Sequence, residues 1–69
     1  MSINKKKLNE NYNFFVTKGI NKATKLDFNE AKINFFNAIK INPKKHEAFI
    51  NLSNIYLIQK NFDECLNLL

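Results

Sequence analysis

Arginine and tryptophan are missing from this chain, and glycine, proline, cysteine and histidine occur once each. Each scarcity excludes something. A single cysteine forms no internal disulfide, and one cysteine with one histidine does not make a zinc site. Without arginine the chain lacks the side chain best suited to bidentate contacts with bases and phosphates, which argues against a specific nucleic-acid partner. With only Gly19 and Pro43 as breakers, and no Asn-Gly or Asp-Gly pair, hairpin turns are not signalled and long stretches are left to helices. Apolar runs are only a few residues long, Phe14-Phe15-Val16 and Ile55-Tyr56-Leu57-Ile58 among them, so no membrane insertion is expected. Lys5-Lys6-Lys7 is followed by Leu8-Asn9-Glu10-Asn11 and not by an apolar core, so no secretory signal is read. The expectation is a soluble, cytoplasmic protein.

What is present points to one small helical domain. Sixty-nine residues allow no more than that, and 45% apolar residues with nine aromatics are too many for a disordered chain. The net charge of +5 is uneven: residues 1–45 carry +7 and residues 46–69 carry −2. A basic front half attracts phosphate or acidic partners. Composition weakens that reading, because Asn, Lys, Ile and Phe make up 39 of the 69 residues, and all four have codons of A and T alone.

Apolar residues recur at helical spacing. Leu8, Tyr12, Phe15 and Gly19 share one face, as do Phe28, Ala31, Phe35, Ala38 and Ile39, and again Phe49, Leu52, Ile55 and Tyr56. The spacing predicts helices over 8–25, 28–41, 46–59 and 62–69. Asp27 is placed to cap the second helix, with Glu30 as the other half of a capping box, and Asn61 to cap the fourth, with Glu64 three residues on. Pro43 disfavours helix at Asn42 and closes the second. Thirteen asparagines are poor helix formers, so tertiary packing has to supply the stability.

Shifted by 34 residues, the chain aligns with itself. Phe15 falls on Phe49, Val16 on Ile50, Gly19 on Ser53, Asp27 on Asn61, Phe28 on Phe62, Glu30 on Glu64, Ala31 on Cys65 and Phe35 on Leu69. A period of that length, spanning two helices, marks a helical array. The second copy reads Phe49-x2-Leu52-Ser53-x2-Tyr56, then Phe62-Asp63-Glu64-Cys65-x3-Leu69. The first reads Phe15-x2-Lys18-Gly19-x2-Lys22, then Asp27-Phe28-Asn29-Glu30-Ala31-x3-Phe35-x2-Ala38, and ends Ile41-Asn42-Pro43. In these positions the chain resembles the tetratricopeptide repeat family over about residues 12–69. Lys18 and Lys22 depart from it, standing where the family has Leu and Tyr, as in an atypical first repeat.

The resemblance implies an all-α fold of antiparallel helix pairs in a right-handed α-solenoid. A polar basic segment over 1–11 would precede a first repeat over 12–45 and an incomplete second over 46–69, the front of a longer array. It also implies a concave face lined by the first helix of each repeat. By position that groove takes Val16 and Ile20 from the first repeat, with Asn13, Thr17, Ala23 and Thr24 beside them. The second gives Glu47, Ile50, Asn51, Asn54, Leu57 and Ile58. Asn51 matches an asparagine that many members use to hold peptide backbone. The family's clamp for carboxylate termini is not expected, because Val16 and Ile20 occupy its positions. Leu66, Leu68 and Leu69 look like an interior helix awaiting a neighbour, which points first to a longer chain and otherwise to a partner; in the isolated chain the same face would allow self-association through residues 62–69.

No residue suggests catalysis. His46 lies between Lys45 and Glu47 and reads as a surface residue. Cys65 reads as a small residue at a helix contact, with no base beside it to activate it. Gly19 stands outside any glycine-rich loop and is read as a point of close helix approach. Phe14-Phe15 and Phe35-Phe36 are read as one core ring and one rim ring each. No cofactor and no metal is expected. The function implied is a non-enzymatic module binding a protein or peptide partner. The family also contains repeats that precede glycosyltransferase or sulfotransferase domains in larger enzymes, and a basic surface for RNA or anionic lipid is a third alternative.

Overall fold

A computed structural model describes residues 5–68, with side chains from Lys5 to Asn61 and the helical backbone alone beyond. The described residues form three α-helices and no strand: α1 (Lys5–Thr24), α2 (Phe28–Ile41) and α3 (Glu47–Leu68). The first two match the helical spacing closely, though α1 begins three residues before its expected start and takes in the basic segment. Lysines at that end oppose the helix dipole, and no acidic residue occupies the first turn. The helix is therefore held from Leu8 and Tyr12 onward by what it packs on.

α1 closes in a Schellman motif. The Asp27 amide donates to the Lys22 carbonyl at 2.9 Å, and the Leu26 amide to the Ala23 carbonyl at 2.9 Å. Leu26 is thereby held at φ 64°, the left-handed region that favours glycine. Asp27 then caps α2, its carboxylate accepting from the Glu30 amide at 3.4 Å, while its own amide is already committed to Lys22. Glu30 is thus left no amide to complete a capping box. Leu26 is 73% exposed, so its side chain contributes little packing to offset its backbone. Leu26→Gly should stabilise the fold by about 1 kcal/mol and raise Tm by about 4–8 °C, read by thermal circular dichroism. No change in Tm would mean that the left-handed turn carries no strain.

α2 ends at Ile41. Asn42 turns extended, its amide donating to the Ala38 carbonyl and its side-chain oxygen accepting from the Lys44 amide at 3.2 Å. The chain then passes Pro43 and enters α3, where the His46 carbonyl accepts from the Ile50 amide at 2.9 Å.

The short turn makes α1 and α2 antiparallel neighbours with the most extensive contact in the fold, and α3 packs mainly on α2. Tyr12, Val16, Ala31, Phe35, Ala38, Ala48, Leu52 and Ile55 form the core, flanked by Phe15, Ala23, Phe28, Ile39 and Ile41. At Gly19 the helices touch: a β-carbon there would lie 2.6 Å from the Phe35 ring. Phe14 and Phe36 sit on the rim, as expected of the two ring pairs.

Two expectations fail on α3. The helix does not break near Asn61; it runs unbroken through that residue to Leu68, so the fourth helix over 62–69 is not a separate element. No glycine or proline interrupts it, and a turn like the one at 25–27 would need left-handed backbone at Lys60. Continuing the helix adds a backbone hydrogen bond per residue instead. The buried face is also rotated. Ala48, Leu52 and Ile55 are buried, whereas Phe49 is 42% and Tyr56 50% exposed. A methyl at position 48 allows α3 to approach closely, and the helix that would have covered Phe49 and Tyr56 does not fold back.

Candidate functional site

Two cross-helix bonds fix where α3 lies. The Tyr12 hydroxyl, wholly buried, accepts from the Ala48 amide at 3.0 Å, satisfying an orphan donor in the first turn of α3. Lys45 Nζ lies 5.0 Å from the centre of the same ring. Further along, Lys32 on α2 donates to Gln59 Oε1 at 3.1 Å and lies 5.4 Å from the centre of the Tyr56 ring. Tyr12 meets the start of α3 and Lys32 its later turns. α3 therefore runs antiparallel to α2 and parallel to α1.

Between α1 and α3, over α2, this arrangement opens a cleft of about 260 Å³. Ile20, Ala23 and Thr24 form one wall, Asn51, Asn54, Ile55 and Ile58 the other, and Phe35 the floor. The lining is largely apolar, with two amides on one side. Asn51 Nδ2 donates back to the Glu47 carbonyl at 3.0 Å, which fixes the amide and leaves its oxygen as an acceptor. Thr24 is tied in the same way, its hydroxyl donating to the Ile20 carbonyl at 2.9 Å.

Of the groove residues expected from sequence, Ile20, Asn51, Asn54 and Ile58 meet in this cleft, with Ala23 and Thr24 beside them. Val16 does not; it is buried in the core cluster with residues of α2 and α3. Glu47, Ile50 and Leu57 are exposed on α3 outside the cleft. Ile55 and Phe35 were read as core residues, and both also line the cleft. One helix position is a rotation of about 100°, so a face assigned by alignment alone mixes wall residues with their neighbours.

The remaining candidates are simply placed. His46 is exposed at the entry to α3. The side chain of Cys65, and the Leu66–Leu68–Leu69 face, lie outside the described residues. Among the described residues no cluster of three or more His, Cys, Asp or Glu stands ready to hold a metal ion, and no helix is long and apolar enough to cross a membrane.

No family model, curated protein or solved structure matches the chain.

Proposed function

We propose that this chain is a protein-interaction module of tetratricopeptide type, whose cleft between α1 and α3 receives an extended, mainly apolar peptide segment. The observation that carries the reading is the cleft itself. Ile20 from α1 and Ile58 from α3 line it together with Phe35, and Asn51 and Asn54 add two amides. An apolar slot with few polar groups suits a hydrophobic side chain of the ligand, while an amide that both donates and accepts suits its backbone. The 34-residue self-similarity and the α1–α2 hairpin with its glycine contact support the family assignment.

The test is NMR titration of the isotope-labelled chain with short peptides carrying one Leu, Ile or Phe between small residues. Shifts should concentrate on Ile20, Asn51, Asn54 and Ile58. Ile58, half exposed, tolerates substitution, and Ile58→Lys should weaken binding about tenfold or more without loss of helicity. Shifts confined to the lysines of α1, with binding that collapses as salt rises, would instead identify a polyanion surface and sink the peptide reading.

A further inference from the structure

α1 carries a basic row on the side turned away from the cleft. Phe14, Lys18 and Lys22 recur at four-residue steps, and Lys25 follows three residues on. Lys18 and Lys22 lie about half a turn round the helix from Ile20 and Thr24, which line the cleft. Phe14 is 59% exposed, its ring edge-on to Phe15 at 5.2 Å, and Lys18 Nζ lies 5.8 Å from its centre. Carboxylates are scarce along the row: Glu10 stands a turn ahead of Phe14, away from the lysines of the closing turns, and Asp27 is engaged in capping α2. The row ends at Leu26. This is the most exposed large apolar side chain among the described residues, and it stands in left-handed backbone at φ 64°. A leucine that contributes little packing, at a position that glycine fills without strain, is not explained by the fold.

We infer that this row docks on an anionic membrane surface, its lysines at the level of the headgroups and Phe14 and Leu26 dipping into the interface. An anionic leaflet attracts lysines that come within a Debye length, and each adds about fivefold to binding. Their long stems let the charges stay among the headgroups while the apolar neighbours sink between them. An RNA backbone would take the lysines equally well. It offers an aliphatic tip such as Leu26 nothing to enter, however, and the arginine fork that suits phosphates and bases is absent from the chain. The contact lies on the membrane and not across it. It leaves the cleft open on the other side of α1, so it stands or falls separately from the peptide reading.

The experiment is co-sedimentation of the 69-residue chain with vesicles of phosphatidylcholine and phosphatidylserine, against vesicles of phosphatidylcholine alone, in physiological salt. The chain should pellet with the first and stay in solution with the second. Lys18→Gln combined with Lys22→Gln should weaken binding about twenty-fivefold, fivefold for each charge. Lys44→Gln, which removes a charge past the far end of α2, should change it by less than about twofold. Leu26→Gly should melt higher than the wild type and yet bind about tenfold more weakly, a loss that misfolding does not explain. A chain that does not pellet with the anionic vesicles would overturn the proposal. Binding indifferent to Leu26→Gly, or as sensitive to Lys44→Gln as to the paired substitution, would reduce it to diffuse charge attraction and overturn it too. Polyuridylate that binds more tightly than the vesicles and ignores Leu26→Gly would assign the row to RNA instead.

Discussion

Replacing Gly19 with valine should unfold the chain at room temperature. Helix propensity taken alone predicts the reverse, since glycine in a helix interior is worth about 1 kcal/mol less than alanine. The contact with Phe35 decides the sign. A single β-carbon at position 19 would stand 2.6, 2.8 and 2.9 Å from three atoms of that ring. Phe35 is 1% exposed and belongs to the core cluster with Val16, Ala31, Ala38 and Ile55, so its ring can yield only towards the cleft it floors, at the expense of those contacts. Gly19→Ala should therefore cost about 1–2 kcal/mol net, an overpacking penalty exceeding the propensity gain. Valine adds two methyl groups to the same overlap and should exceed about 3 kcal/mol, comparable to the whole stability of a chain this short. Circular dichroism and urea unfolding read both. A double-mutant cycle of Gly19→Ala with Phe35→Leu should show a positive coupling, because the smaller side chain relieves the clash. If Gly19→Ala raised stability instead, the two helices would have to lie further apart than described.

Removing one oxygen atom from Tyr12 should loosen α3. The hydroxyl is the partner of the Ala48 amide in a fully buried contact between residues 36 apart in sequence. Tyr12→Phe keeps the ring and its packing but strands a buried backbone donor, at a cost of about 1–3 kcal/mol. Tyr12→Ala removes the ring as well and should cost about 3–5 kcal/mol. The two variants differ in which region they disturb. In Tyr12→Phe, amide exchange should rise at Ala48 and in the first turns of α3 while α2 stays protected, whereas Tyr12→Ala should open all three helices. Exchange at Ala48 unchanged in Tyr12→Phe would mean that the amide finds another acceptor.

Local chemistry made much of the fold readable. The Asp27 cap, the end of α2 before Pro43 and the role of Gly19 all follow from residues whose neighbours in sequence are their partners in space, or nearly so. The end of α3 was not readable in that way. Lys60-Asn61-Phe62 resembles the turn before α2, but a turn persists only where the returning helix buries enough apolar surface to outweigh the strain of left-handed backbone. That balance is tertiary. The same limit explains Ala48 and Phe49. Hydrophobicity ranks the ring above the methyl, yet close approach of α3 to α2 selects the smaller side chain for the buried position. In the cleft, Ile20, Asn51, Asn54 and Ile58 are among the positions that the resemblance assigns to a concave face, whereas Val16, Glu47, Ile50 and Leu57 are not part of its lining. Val16 is a core residue, 3% exposed, because the helix contact that buries it is tertiary and leaves no local signal. Tyr12 stood out only as an apolar residue; nothing local reveals that its hydroxyl ends on an amide of a different helix.

The three-residue turn between α1 and α2 bears on the order of assembly. It joins the two helices with the largest mutual contact, and nearly all of that contact is complete by Asn42. Contacts between near neighbours in sequence form quickly, in microseconds to milliseconds for helical domains rich in them. The hairpin is therefore the first part of the chain to gain a defined shape, and it does so before the residues of α3 are needed. During synthesis it can close while the rest of the chain is still unmade. α3 then docks onto a surface already set, with the Tyr12 hydroxyl waiting for its amide.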